Sequence, residues 1–151
     1  MSKPVLVLNG PNLNLLGTRE PHIYGSNTLK EVEAMCARKA KEVGLTVECR
    51  QSNHEGQLVE WIHEAIGGFD GIIINPAAYT HTSVAILDAL KNVKAPIIEL
   101  HISNPHQREE FRHRSFVTPA ATATMCGFGV AGYPLAVEAM AGLLEARKAK
   151  A

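Results

Sequence analysis

Along the chain, short apolar runs without alternation take turns with longer stretches whose apolar positions recur every three to four residues. Val5 to Leu8 is the first run, β-branched at every second place, and predicts a strand buried on both faces. Asn9-Gly10-Pro11 stops it, and no helical or strand period is sustained from there to Gly25. Thr28 and Glu31 then have the spacing of a capping box. Leu29, Val32, Cys36, Ala40 and Val43 follow at helical spacing, with Gly44 as the stop. Leu45 to Gln51 predicts a second strand with Val47 and Cys49 on one face. Gly56 to Ile66 predicts a helix with Leu58, Val59, Ile62 and Ile66 inward. Gly71 to Asn75 is the most apolar strand and belongs in mid-sheet. A polar loop to His81 leads into a helix near Thr82 to Asn92, with Val84, Leu87 and Leu90 inward and Asp88 at the border of that stripe. Pro96 to Leu100 is the fourth strand. Asn104 and Pro105 are a cap and first-turn proline that predict a helix carrying Arg108 and Arg112. Residues 121 to 128 make a weaker fifth strand, and a final helix inward at Leu135, Val137, Met140, Leu143 and Leu144 closes the chain.

Strands alternating with helices five times predict a single α/β domain over residues 1–151. Its architecture is a three-layer sandwich around a parallel sheet, with the flavodoxin-like order 2-1-3-4-5. In such sheets ligands bind beyond the carboxyl ends of the strands, where the order reverses. The first, third and fourth strands run out into Asn9, Asn75 and His101. The loops beyond them carry Asn12, Arg19 and Tyr24, then His81, then Ser103, Arg108 and Arg112. Polar side chains therefore converge on one sheet edge. The long segment after the first strand has the size of a binding loop or lid.

Composition narrows the partners. The chain has 151 residues, 46% hydrophobic and 20% charged, with 15 basic and 15 acidic side chains. A net charge of zero gives no nucleic-acid or membrane footprint. No apolar run reaches the length of a membrane span, and the start MSKPVLVLNGPN lacks a signal-peptide cleavage region. Three cysteines, without metal-ligand spacing, read as buried free thiols of a reducing compartment. The expectation is a cytoplasmic protein acting on a small molecule.

Several chemistries are excluded by what is missing. NGPNLN is neither G-x-G-x-x-G nor a Walker loop, and there is no G-x-S-x-G elbow. No lysine sits at a strand's carboxyl end, so Schiff-base catalysis is not expected. His81, His101, His106 and His113 lack H-x-x-x-H spacing with a carboxylate between, so no metal is expected. What remains is phenol, imidazole, guanidinium and amide. A phenol titrates at about 10 and serves as a base at neutral pH only where cations stabilise its anion. Arg19, five residues before Tyr24, is a candidate for that cation. His101 is the natural general acid. Arg112 and the N–H groups after Ser103 suit an anion or hydroxyls. Together they suit proton abstraction beside a carbonyl with acid-assisted loss of a leaving group, without a cofactor. Each side chain alone also has a plain structural reading: Tyr24 packed with its hydroxyl wet, His101 a core histidine, His81 a helix-entry residue, Arg108 and Arg112 a solvated face paired with Glu109 or Glu110. A flavodoxin-like fold also leaves open a non-catalytic anion- or flavin-binding module, against which stand an aromatic content of 5% and the absent phosphate loop.

The blocks NGPNLNLLGTREPHIYG (9–25), QSNHEG (51–56), INPAAYTHTS (74–83), ELHISNPHQREEFRHRS (99–115) and GFGVAGY (127–133) resemble type II 3-dehydroquinate dehydratases over nearly the whole chain. The resemblance implies reversible dehydration of 3-dehydroquinate to 3-dehydroshikimate in the shikimate or quinate pathway. It implies Tyr24 as base, Arg19 as stabiliser of its anion, Asn12 as the residue positioning a water, and His101 as acid held by Glu99. It further implies that Asn75 and the backbone of Ile102 and Ser103 hold the substrate carboxylate region, that His81 and Arg112 take its hydroxyls, and that Arg108 sits on the lid side. Finally, it implies a homododecamer of trimers in which Asp88 reaches a neighbouring subunit's site.

Overall fold

The structure, a computed structural model, describes residues 2–151. A five-stranded parallel sheet runs in the order β2-β1-β3-β4-β5. Its strands are β1 (Val5–Asn9), β2 (Val47–Gln51), β3 (Gly71–Asn75), β4 (Ile97–His101) and β5 (Ala123–Cys126). The helices are α1 (Pro21–Tyr24), α2 (Leu29–Glu42), α3 (Glu55–Glu64), α4 (Val84–Leu90) and α5 (Gly132–Lys150). β1 sits between β2 and β3, with Asn9 in register with Gln51 on one side and Asn75 on the other. The expected strand order is the one observed, while α1 lies within the segment after β1 that was expected to hold no helix.

Strand alternation builds two cores. Val5, Val7, Ile73, Ile98 and Leu100 pack under α2 and α5, against Val32, Cys36, Val137 and Met140. Leu6, Leu8, Ile72, Ile74 and Ile97 pack on the other face, under α3 and α4, against Leu58, Ile62, Ile86 and Leu90. All five residues of β1 and of β3 are buried, so both strands need apolar side chains on both faces. Gly71 lies where a Cβ would come within 2.6 Å of the Met140 sulfur, so a side chain at the start of β3 would require Met140 to shift.

The helix starts follow the sequence signals. The Glu31 N–H donates to the Thr28 hydroxyl, while the Glu31 carboxylate takes the Thr28 hydroxyl and the Asn27 amide. Gly44 leaves the helix at φ +77°, the left-handed stop that glycine permits. Four local expectations are corrected. Ile66 lies beyond α3 in the turn before β3 and is half exposed. α4 buries Ile86, Ala89 and Leu90, so Val84 and Asp88 share its outer face; capping by Ser83 rather than Thr82 sets that phase. Leu135 is exposed at the start of α5, where Ala136 and Val137 turn inward. Of the three free cysteines only Cys36 is fully buried.

The segment expected to be a helix after Asn104 is instead two single 3-10 turns, Pro105–Gln107 and Glu110–Arg112. Asn104 still caps, its side-chain oxygen accepting the His106 N–H. Beyond one turn, however, the run QREEFRHR has no apolar stripe to bury, so nothing propagates the helix.

Candidate active site

The carboxyl edge of the sheet holds a pocket lined by Asn12, Arg19, Tyr24, Asn75, His81, His101, Ile102, Ser103, Arg108 and Arg112, with apolar fill from Leu13 and Ala77. Every side chain expected at the site except Glu99 and Asp88 lines it. Glu99 stands directly behind His101, whereas Asp88 is exposed on α4, outside the pocket lining.

Tyr24 ends the single turn α1, which Pro21 starts and Gly25, at φ +82°, stops. Two guanidiniums flank its ring. Arg19 stacks 4.8 Å from the ring centroid, and Arg108 stands 5.6 Å away on the same ring. The hydroxyl receives its N–H from Arg108 Nη1 at 3.1 Å, and a longer contact of 3.4 Å ties that guanidinium to the Ser103 hydroxyl. The Arg19 nearest carboxylate is Glu20 at 3.8 Å, too long and too exposed to hold it firmly.

His101 closes β4. Its Nε2 lies 2.6 Å from Glu99 Oε2, and Glu99 is 1% exposed. Burial pushes the Glu99 carboxyl up. Hydrogen bonds from His101, Thr118 and Ser115, and the imidazole's charge, outweigh it and bring the group down to about 2. An ionised Glu99 only accepts, so the imidazole donates from Nε2 and Nδ1 is the nitrogen left for other partners. His81 is held differently. Its Nδ1 donates to the Arg114 carbonyl at 2.8 Å, and burial keeps its basicity below the ordinary value despite that bond. It is therefore a neutral ring with a bare Nε2.

The amides are fixed by partners that sequence reasoning did not single out. Asn75 donates to the Tyr133 hydroxyl at 3.0 Å and accepts the Ala77 N–H at 3.1 Å. Tyr133, fully buried, donates in turn to Asn9 Oδ1 at 2.6 Å, so the tips of β1 and β3 are pinned through α5. Asn12 adopts φ +70° and gives its N–H to Asn53 Oδ1 at 3.0 Å, while Tyr79 donates to the Asn53 carbonyl at 2.7 Å. Gln51 completes the brace by donating to the Gly10 carbonyl. Thr80, Ser115 and Thr118 were missed in the same way. A hydroxyl has no periodicity; the only signal for Thr80 and Ser115 was membership in the blocks 74–83 and 99–115, and Thr118 lies outside every block.

The histidines do not assemble into a ligand set: among the described residues no group of three or more His, Cys, Asp or Glu is placed to hold a metal ion. His106 and His113 instead stack at 5.8 Å between centroids, outside the pocket. Among the described residues no helix is long and apolar enough to cross a membrane.

A doubly wound parallel sheet with a phenol, an imidazole–carboxylate pair and three guanidiniums at its switch point defines a flavodoxin-like α/β protein with a site equipped for acid–base chemistry on a polar small molecule. The chain belongs to the class II dehydroquinase family, whose sequence profile matches residues 3–141. It is similar to a 3-dehydroquinate dehydratase of Acidovorax sp. (strain JS42), 59% identical over 146 residues that cover 93% of this chain and 99% of that one. A 3-dehydroquinate dehydratase of Streptomyces avermitilis is 60% identical over 149 residues, covering 98% of this chain and 94% of its own. The crystal structure of the type II dehydroquinase from Propionibacterium acnes superposes with a TM-score of 0.90 at 48% identity, over 94% of this chain and 98% of that one.

Proposed function

We propose that this chain is a 3-dehydroquinate dehydratase that works through an enolate, with Tyr24 as the base and His101 as the acid. The observation that carries the reading is that both groups line one pocket in complementary settings. The phenol oxygen is contacted by a guanidinium N–H, and the imidazole is backed by a buried carboxylate. Tyr24, as phenolate, takes the proton alpha to the ketone, and the C–H electrons move onto the carbonyl oxygen as an enolate. A water positioned by Asn12 steadies that oxygen. The enolate then re-forms the ketone, the C–O bond to the β-hydroxyl breaks, and His101 Nδ1 supplies the proton that lets the hydroxyl leave as water. Arg108 and Arg19 stabilise the phenolate from its oxygen and its ring face. Asn75, Ile102 and Ser103 receive the substrate carboxylate region, while His81 and Arg112 take its hydroxyls. His81 Nε2 acts there as an acceptor.

Each step uses side chains of the chain itself. A flavin-binding module has no specific support, since Tyr24 is the pocket's one tyrosine, tryptophan or phenylalanine and guanidiniums occupy its flanks. Asp88, exposed beside Val84 on α4, is free to reach another subunit's site, which fits assembly as trimers within a homododecamer. Mixing the purified protein with 3-dehydroquinate and following the enone absorbance of 3-dehydroshikimate tests the activity; no growth of that band overturns it. Exhaustive chelation leaves the rate unchanged on this reading. Loss of rate restored by a divalent ion contradicts it.

A further inference from the structure

Glu99 has four hydrogen-bond donors around it, and three take no part in the chemistry just proposed. Oε2 accepts from His101 Nε2 at 2.6 Å, Ser115 Oγ at 2.8 Å and Thr80 Oγ1 at 3.0 Å. Oε1 accepts from Thr118 Oγ1 at 2.6 Å. Two of the three hydroxyls come from one stretch, Ser115 and Thr118, where the Thr118 N–H also donates to Ser115 Oγ at 3.2 Å; the third, Thr80, comes from the turn after β3. The imidazole reaches only Oε2, so the hydroxyls are what satisfy the second oxygen and hold the carboxylate's rotation against the ring.

We propose that Thr118, supported by Ser115 and Thr80, is a positioning residue for His101. Its hydroxyl holds the Glu99 carboxylate at a fixed rotation and draws off part of its charge, which sets how readily the imidazole gives up its proton. Among the described residues Thr118 supplies the sole donor to Oε1, so it fixes the carboxylate plane and with it the position of Oε2 against the ring. Each charge-assisted hydroxyl also makes Glu99 a weaker partner for imidazolium. A Glu99 stripped of hydroxyls would bind the imidazolium more tightly, and the acid would be slower to release its proton. The other titratable and charged groups around the pair are His81 from the turn after β3, Arg112, and Cys126 in register with His101 on β5. His106, His113 and Arg114 stand at the rim of the adjacent hollow. None of these changes in the variants below.

This inference rests on His101 being the acid, and the test separates the two. Thr118→Val removes the hydroxyl and keeps the shape at an exposed residue, and Thr118→Ser restores the donor. Thr80→Val, made in parallel, removes a second donor from the opposite side. In Thr118→Val the alkaline limb of the kcat profile should move up by about 0.5–1 pH unit. Its kcat should fall about five- to tenfold, with KM within about twofold. Thr118→Ser should return both to wild-type values. Independently of turnover, the low-field proton resonance of His101 Nε2–H in the resting protein should move further downfield in Thr118→Val and in Thr80→Val. A folded Thr118→Val or Thr80→Val variant with an unmoved resonance overturns the proposal whatever the kinetics. A moved resonance with an unmoved kcat limb sustains the hold on His101 and overturns His101 as the acid.

Discussion

The Tyr24 hydroxyl takes its hydrogen bond from Arg108, while Arg19, the nearer in sequence, reaches only the ring. The phenol oxygen is therefore met by a residue from across the sheet edge, and the two arginines should not be equivalent. Arg108→Ala should lower kcat by roughly 10²-fold, as removal of a donor aimed at developing charge does. Arg19→Ala should also cripple turnover, with Arg19→Lys retaining more. Tyr24→Phe removes the proposed base but keeps the ring, and turnover should fall by roughly 10² or more. Steady-state assays of the four variants check this, and a fully active Tyr24→Phe would remove the tyrosine from the mechanism. Glu99 makes a prediction about stability. Its folded value of about 2 lies below the ordinary 4.5, so it stabilises the fold at all pH values above the unfolded value. That contribution, on the order of 3 kcal/mol, is lost as pH falls from about 4.5 toward 2. Denaturant midpoints measured across that window should drop in the native protein, and the Glu99→Gln variant should lack this component of the drop.

At the scale of elements, the site depends on two loops that touch. The Gly10 N–H donates to the Asn75 carbonyl at 2.8 Å, and a Cβ on Gly10 would stand 2.4 Å from the Pro76 carbonyl oxygen. The glycine that ends β1 is thus also the point where the loop bearing Asn12 meets the loop bearing His81. Gly10→Ala must push backbone against backbone. It should cost about 1–3 kcal/mol and lower kcat/KM together with Tm, because the two halves of the pocket are driven apart. Thermal melts and kinetics on one preparation check this. α4 illustrates how a cap decides a face: the Ser83 hydroxyl accepts the Ile86 N–H at 2.9 Å, and the helix that begins there turns Val84 outward.

For the whole molecule, the two cores make a rigid platform whose carboxyl edge carries the site, while the outer face of α4 keeps Val84 half exposed beside Asp88. A valine and a carboxylate side by side on one surface helix suit a contact with another subunit. Light scattering is expected to report a mass near twelve chains. Asp88→Ala should weaken substrate binding several-fold while the circular dichroism spectrum stays native. A monomer with full activity at assay concentration is incompatible with a site completed across subunits.

The apolar runs, the capping residues and the alternation of strand with helix were enough to determine the parallel sheet and its order, because burial on both faces leaves strands like GIIIN no other place to sit. The same pattern assigned Tyr24, His101, Arg108 and Arg112 to one edge, since strand ends in such a sheet all open the same way. The sequence could not tell that Arg108 rather than Arg19 meets the phenol, that residues 105–112 turn instead of winding, or that three hydroxyls close on Glu99. Those outcomes depend on where separate loops come to rest against one another. A short polar loop has no hydrophobic periodicity to announce its path. Its hydrogen bonds form only once the packed sheet has brought the partners within 3 Å or so.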